Sequence, residues 1–163
     1  MRGLGGPAIE SGVPAELNDR FYPILLSRMD DPVTSAEAEA YFEKLIVLAD
    51  EGIRSGRKYT VITTSNIMKF TAASRKHVAD AQARYLSADR NDVTLAAFLP
   101  IDNSVIRGMM TAFRWVAPRL LQYVHVVPSL EAALDDALRA LADNGTPFKG
   151  DLQALRRVLD LER

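Results

Sequence analysis

The amino-acid sequence predicts a single α/β domain built around a mainly parallel sheet of four or five strands. Short apolar or β-branched runs alternate with segments whose apolar residues recur at helical spacing, in the order β-α-β-α-β-α-β-α-α. The chain has 163 residues, of which 48% are hydrophobic and 25% are charged. This size and composition are those of one ordinary globular domain, and they exclude a disordered chain or a collagen-like repeat.

One strand and one helix are predicted first. Residues 21–29 are an apolar run typical of a buried strand, in which Pro23 indicates an edge or a bulge. Thr34 and Glu37 have the spacing of a capping box, and the helix that they begin ends near Gly56. The apolar positions of this helix are Phe42, Leu45, Ile46, Ala49 and Ile53.

A second helix lies between two further strands. Residues 59–64 are rich in β-branched side chains, which favour a strand. Thr71 or Ser74 caps the next helix. The apolar side of that helix holds Val78, Ala81, Tyr85 and Leu86. Residues 93–100 are apolar on both sides, which is typical of a central strand covered by helices.

The last third of the chain continues the alternation. Asp102 or Asn103 caps a third helix, which must end before Pro118. Residues 121–127 predict a fourth strand, and a fourth helix starts at Ser129.

A linker and a C-terminal amphipathic helix complete the prediction. The apolar residues of this last helix are Leu152, Leu155, Val158 and Leu159. We expect residues 1–20 to be either a flexible N-terminus or an extra edge strand. Residues 20–143 then form the domain, and residues 144–163 form the linker and the last helix.

The composition also argues against several classes of function. There is no cysteine, and therefore no disulfide, no cysteine-based metal site and no thiol nucleophile. No apolar run approaches the ~20 residues that span a bilayer, and residues 1–7 lack the apolar core of a secretory signal. A net charge of -1 and a pI near 6.1 argue against a nucleic-acid partner. We expect a cytoplasmic protein without a cofactor or a membrane span.

Charges are segregated along the chain. Residues 30–51 hold seven acidic residues and one lysine, whereas residues 52–90 hold eight basic and two acidic residues. This pattern is typical either of two solvated helix faces of opposite sign or of a charged docking face. The basic segment and the start of the second helix also offer candidates for holding an anion, and these are Lys69, Arg75 and Lys76, with Arg54, Arg57 and Lys58 before them.

No constellation of residues predicts catalysis or metal binding. His77 and Asp80 share one helix face, but a protein metal site needs three or four ligands and no third histidine or cysteine exists. His125 lies beside Tyr123 on a strand, a setting more typical of a partly buried residue than of a catalytic one. Because no catalytic motif is present, we expect a protein that is not an enzyme.

The third predicted helix is apolar on two sides. At about 100° per residue, its core stripe consists of Ile106, Met109, Met110, Phe113 and Ala117. The opposite side carries Gly108, Thr111, Ala112 and Trp115, bordered by Arg107 and Arg114. Small residues beside a tryptophan indicate a docking face, a dimer face or a pocket wall. The alternative is that the C-terminal helix of the same chain covers this side.

Three stretches of the sequence resemble a group of small stand-alone STAS-like proteins of bacteria. The first is Tyr-Thr-Val-Ile-Thr-Thr-Ser at 59–65 with Thr-Ala-Ala-Ser-Arg at 71–75, and the second is Phe-Leu-Pro at 98–100. The third is Ile-Arg-Gly-Met-Met-Thr-Ala-Phe-Arg-Trp at 106–115, followed by Val-Val-Pro-Ser-Leu-Glu-Ala-Ala at 126–133. The resemblance covers residues 20–142 and leaves out the last helix. It implies a STAS-like fold related to that of anti-sigma-factor antagonists, and a signalling role.

The site at which such antagonists are phosphorylated departs from the family pattern here. In those proteins an aspartate ends the second strand and an Asp-Ser-(Ser/Thr)-Gly run opens the next helix. The hydroxyl residues in the corresponding region are Thr64, Ser65, Thr71 and Ser74, without the aspartate or the Ser-Gly pair. We therefore expect docking that is not switched by phosphorylation.

The resemblance and the missing catalytic motifs lead to one functional expectation. We expect a non-enzymatic regulatory or protein–protein interaction module, with a protein partner or a homodimer. The alternative is a sensor or carrier of a small nucleotide or lipid-like molecule on the same fold. A hydrolase or transferase would need a nucleophile and a base, such as Ser65 or Ser74 near His77.

Overall fold

The computed structural model describes residues 15–65, 69–85, 87–116 and 122–161, except for the side chains of residues 88 and 113–116. The strands in these ranges are β1 (Ala15–Asn18), β2 (Ile24–Met29), β3 (Tyr59–Thr63), β4 (Thr94–Pro100) and β5 (Val124–Val127). The helices are α1 (Ser35–Ser55), α2 (Ala72–Tyr85), α3 (Ala88–Asn91), α4 (Ser104–Val116), α5 (Leu130–Asp143) and α6 (Leu152–Val158). The predicted α/β class is confirmed.

The five strands form one sheet in chain order, β1-β2-β3-β4-β5. β1 runs antiparallel to β2, and the other neighbours are parallel, so the prediction of a mainly parallel sheet is also confirmed. One row of paired residues crosses the sheet through Leu25, Val61, Ala97 and Val124. The register between β3 and β4 shifts after Tyr59.

Helices cover both faces of the sheet. Because strand order follows chain order, right-handed crossovers place α1, α2 and α4 on one face. On that face α1 packs over β1, α2 and α3 pack on α1, and α4 contacts β5 at the far edge. On the other face α5 packs against β3, β4 and β5. On this face Leu25, Val61 and Ala97 of the row pack with the side chains of α1 in one core.

Each face has its own hydrophobic core. The first core, under α1, contains Leu17, Leu25, Met29, Val33, Ala38, Tyr41, Phe42, Leu45, Ala49, Tyr59, Val61, Phe70, Ala81 and Val93. The second core, under α5 and α6, contains Phe21, Ile24, Leu26, Ile62, Ala96, Phe98, Val127, Ala133, Leu134, Ala137, Leu141, Leu155 and Leu159. The sheet is thus apolar on both sides at β3 and β4, as a central strand requires.

Local signals set the helix ends. The Thr34 side chain accepts from Glu37 N and the Glu37 carboxylate accepts from Thr34 N, so the predicted capping box is confirmed. α1 ends at Gly56 in the left-handed region, at φ 67°. Ser129 caps α5 by accepting from Ala132 N.

Two predictions for the first half of the chain are wrong. β2 begins at Ile24, so Pro23 precedes the strand, where its missing N–H is not needed. Ile53 is exposed because the neighbouring Gly52 faces the interior instead. A Cβ on Gly52 would lie 2.8 Å from the Arg57 carbonyl oxygen, so only glycine fits this close approach.

α6 packs on its own chain. Asp151 caps it by accepting from Ala154 N at 2.9 Å. Leu155 and Leu159 are buried in the second core, whereas Leu152 and Val158, predicted on the same apolar side, are exposed. The helix is short and only its inner edge contacts the domain.

The two charge blocks of the sequence face each other within the molecule. Arg90 makes a two-pronged ion pair with Asp50, with nitrogen to oxygen distances of 2.8 and 3.2 Å. Arg84 of α2 pairs with Glu39 of α1. These ion pairs link α1 to α2 and α3, so part of the segregated charge is paired within the chain.

Several predicted positions lie outside the described residues. They are residues 1–14, Leu86, Ala117, Pro118 and Leu121, together with the side chains of Phe113, Arg114 and Trp115.

Candidate functional site

α4 begins in a turn that its own side chains close. Asn103 is the cap, because its Oδ1 accepts from Val105 N at 3.0 Å and from Ile106 N at 3.2 Å. Arg107 Nη1 donates to the carbonyl oxygens of Ile101 and Asp102, both at 2.7 Å. Arg107 therefore fixes the junction of β4 and α4 and is only half exposed.

The outer side of α4 is apolar and open to solvent. The exposed fractions are 70% for Val105 and 67% for Met109. Gly108, Thr111 and Ala112 are also exposed. We call these five residues the α4 face. No charged side chain belongs to it.

One sequence prediction for this helix is wrong. Met109 was expected in the core stripe with Ile106 and Met110, but only the latter two are partly buried. α4 contacts the edge strand β5, so its buried arc is narrow. Met109 lies about 60° from Ile106 around the helix axis and falls outside that arc.

The C-terminal helix does not cover the α4 face. Leu155 and Leu159 of α6 are buried in the second core with Ile24 and Leu26. A Cβ added to Gly108 would meet nothing within 4 Å. The described part of the face is therefore unpartnered.

A cavity of about 210 Å³ lies between the sheet and the helices beside this region. Its apolar lining includes the sheet row through Val61, Ala97 and Val124. The polar lining consists of Ser27, Tyr41, Thr63, Gln82, Asn91, Thr94 and Tyr123. The sequence offers no signal for this space, because its lining comes from the sheet and from α1, α2 and α3, which are far apart in the chain.

Tyr41 is the buried polar group of the cavity. Its hydroxyl donates to Ser27 Oγ at 2.7 Å. Desolvation by burial raises the pKa of Tyr41 to about 12; the hydrogen bond to Ser27 lowers this pKa and the nearby Tyr59 raises it, both by smaller amounts. At neutral pH this hydroxyl is a proton donor, not an anion.

The hydroxyl residues of the region that resembles a phosphorylation loop are tied into the fold. Ser65 Oγ accepts from Met29 N, and Ser74 Oγ accepts from Val33 N at 2.9 Å. Both serines are buried, Ser74 with 1% of its surface exposed. Thr64 is exposed. The serines join the ends of β2 and β3 to α2.

Asp31 is the acceptor for the hydroxyl residues at the start of α2. Thr71 is the cap of α2, because its Oγ1 accepts from Ser74 N at 3.2 Å. The Thr71 hydroxyl and backbone N–H both donate to Asp31 Oδ1 at 3.0 Å. Hydrogen bonds from Ser74 and from the Thr71 backbone hold the pKa of Asp31 below its usual range.

The predicted anion-binding residues do not converge. Arg75 donates through Nε and Nη2 to the Phe70 carbonyl oxygen at 3.0 and 2.9 Å. Lys76 pairs with Asp80 one turn along α2. Lys69 is exposed near the same end of the sheet. Of the other basic residues of the segment, Arg54 pairs with Glu51 on α1, whereas Arg57 and Lys58 lie at the opposite end of β3, before its first residue.

Neither a metal site nor a membrane span is found in the part of the chain that the structure describes. No group of three or more His, Asp or Glu side chains there is arranged to hold a metal ion. None of the described helices combines the length and the apolar character that crossing a bilayer requires.

Comparisons of the chain with protein-family models, with curated proteins and with solved structures returned no match.

Proposed function

We propose that this chain is a non-enzymatic regulatory module that docks through the α4 face, and that its partner there is a second copy of the same chain. The observation that carries the proposal is the open, uncharged and apolar α4 face at one edge of the sheet. Val105 and Met109 expose about two thirds of their surface or more. Burying an apolar side chain of this size stabilises a complex by up to roughly 1.5–3 kcal/mol.

The shape of the face suits another helix. Gly108 and Ala112 lie one turn apart on α4 and present little side chain. Small residues at this spacing let a second helix approach closely, with larger neighbours packing on either side. Val105 and Met109 lie on one side of the small pair and supply contact area.

The absence of charge favours a second copy. In a two-fold dimer the same patch of both copies meets, so a face that carries charge of one sign would repel itself. The five residues of the α4 face carry no charge, and Arg107 at its border donates to the carbonyl oxygens of Ile101 and Asp102. β5 lies at the same edge of the molecule, and no described strand pairs with its outer side. A strand edge without a neighbouring strand is a template for pairing with another chain.

The hydroxyl cluster supports docking without a phosphorylation switch. Ser65 and Ser74 are buried and their oxygens accept from backbone N–H groups. A kinase would have to open this part of the fold to reach these two serines. The exposed Thr64 and Thr71 donate to the Ser27 carbonyl oxygen and to Asp31, respectively. The docking surface is therefore constitutive in this proposal.

Light scattering after size exclusion, at two protein concentrations, tests the proposal. We expect the full chain to form a dimer that Met109→Glu weakens at least about tenfold, the equivalent of 1.4 kcal/mol. Val47→Glu on α1 is the matched control, because Val47 is also an exposed apolar helix residue, with an exposed fraction of 68%. A monomer at both concentrations, or equal loss in the two variants, would refute docking through α4.

The cavity favours a second candidate function, a sensor of a small apolar molecule. A space of about 210 Å³ with an apolar floor and hydroxyl groups at its wall suits one ring system. We expect indole to raise the melting temperature of the full chain, and Ala97→Leu to abolish the shift by filling the floor. A shift that survives in Ala97→Leu would exclude this cavity as the site.

A further inference from the structure

We propose that a notch at the amino ends of β2 and β3 binds a small organic phosphate. The notch has a volume of about 510 Å³. Its lining includes Tyr22, Arg57, Lys58, Thr146, Lys149 and Gly150, and we call it the cationic notch. It lies away from the α4 face and does not depend on the docking proposed above.

Charge at the cationic notch is positive and unbalanced. Arg57, Lys58 and Lys149 line it, and none of its lining residues is acidic. None of these three side chains forms a salt bridge within the described part of the chain. Most other cations of the helices do have such partners, as Arg84, Arg90 and others show. Three cations collected at one concave surface of a chain with net charge -1 favour an anionic ligand.

One wall of the notch is fixed in place. Thr146 N and Oγ1 donate to the Leu141 carbonyl oxygen at 2.9 and 3.3 Å, which ties the linker to the end of α5. Phe148 packs against the second core. A Cβ on Gly150 would lie 2.5 Å from the Phe148 ring, so glycine is needed there. Lys149 is held between these two anchored residues.

The opposite wall comes from the turns before β2 and β3. The Arg57 guanidinium lies over the Tyr22 ring, with its central carbon 5.7 Å from the ring centroid. This contact orients Arg57 while most of its N–H groups stay available. Lys58 is the next residue and directly precedes β3. The two walls are more than eighty residues apart in sequence, so only the fold brings their charges together.

These groups define the ligand class. Ammonium and guanidinium groups bind phosphate oxygens through charge-assisted hydrogen bonds. The Tyr22 ring and Pro23 add apolar surface for the organic part. A cavity of this volume accommodates a small molecule rather than a polymer. The ligand is therefore a small phosphate ester or diphosphate with two or three negative charges.

Calorimetric titration of the full chain with pyrophosphate tests the proposal. We expect binding that weakens as salt is added, and a loss of about threefold to tenfold in affinity for each of Lys58→Gln and Lys149→Gln. Lys69→Gln and Lys76→Gln remove the same charge near the start of α2 and should leave the affinity unchanged. Lys58, Lys149 and the control residues are all exposed, so the variants should fold normally.

Backbone amide shifts in NMR locate the ligand. Those of Thr146, Lys149 and Gly150 should move during the titration, while those of the α4 face should not. An equal loss of affinity in the control variants would mean that pyrophosphate is attracted nonspecifically by the charge of the whole protein. This result would overturn the proposed site. The absence of pyrophosphate binding would also overturn the site. So would a chain that binds only to vesicles carrying phosphate monoester lipids. None of these results bears on the dimer, which light scattering measures separately.

Discussion

Tyr41 shows how a single buried hydroxyl couples this fold to pH. Its pKa in the folded chain is about 12, above the ordinary value near 10. Tyr41 therefore contributes stability that is fully present below pH 10 and is lost as pH rises through 12. A shift of this size corresponds to about 3 kcal/mol.

Tyr41→Phe should reduce the loss of stability at high pH. We expect the free energy of unfolding, measured in urea between pH 9 and 12, to fall less steeply in the variant than in the natural chain. Burial also raises the pKa of Tyr22 and of Tyr59, so a smaller slope will remain. An unchanged slope would mean that the Tyr41 hydroxyl reaches water in the folded protein.

Asp31 acts at the opposite end of the pH scale. Its pKa is lowered in the folded chain, mainly by the hydrogen bonds from Ser74 and Thr71. The carboxylate thus adds stability above its ordinary pKa of about 4, and this contribution is lost as pH falls through the lowered value. We expect Asp31→Asn to lower the melting temperature at pH 6 and to flatten its decline towards pH 2.5. Asp30→Asn, which removes the neighbouring exposed carboxylate, is the control and should keep the decline.

At the scale of the elements, the sequence predicts the ends of helices well and the buried side of each helix less well. Thr34 with Glu37, Gly56 and Ser129 each act on hydrogen bonds within a few residues, so the sequence alone locates those helix ends. Ile53 and Met109 were expected inside and are exposed. Which side of a helix is buried depends on the element that packs against it. When a helix has apolar residues on two sides, its sequence alone does not determine which side is buried.

Gly52 and Gly108 are helix glycines with opposite surroundings. A Cβ on Gly52 would collide with the Arg57 carbonyl oxygen at 2.8 Å, whereas one on Gly108 would meet nothing within 4 Å. We expect Gly52→Ala to destabilise the chain by about 1–3 kcal/mol. Gly108→Ala should stabilise it by up to roughly 1 kcal/mol, because alanine is the better helix former. Chemical denaturation of the monomer, at concentrations too low for the proposed dimer, measures both. A loss of stability in Gly108→Ala under these conditions would mean that another segment of the same chain covers α4 there.

At the scale of the whole molecule, the sequence located charges but not their partners. The acidic and basic blocks were visible as a pattern, yet the pairing of Asp50 with Arg90 required α1 and α3 to meet. Lys149 was not singled out, because its relation to Arg57 and Lys58 depends on where the linker after α5 returns to the sheet. Contacts between residues far apart in sequence carry no periodic signal.

The helices on the two faces of the sheet lead to a final prediction about the stability of the molecule. α6 closes the second core, on the face of the sheet opposite α1, and Leu155 is its fully buried residue. We expect Leu155→Ala to lower the free energy of unfolding by about 2–5 kcal/mol, because it removes apolar contacts and leaves a cavity. Leu152→Ala on the same helix is the control. Its side chain is exposed, and the change should stay within about 0.5 kcal/mol.

The oligomeric state of the same two variants distinguishes the contribution of α6 to folding from the contribution of the α4 face to dimer formation. Because α6 and the α4 face belong to different parts of the molecule, Leu155→Ala should weaken folding without weakening the dimer, as long as the chain stays folded. Light scattering below the unfolding transition measures this. A Leu155→Ala protein that is folded but monomeric would place α6, and not α4, at the contact between the two copies.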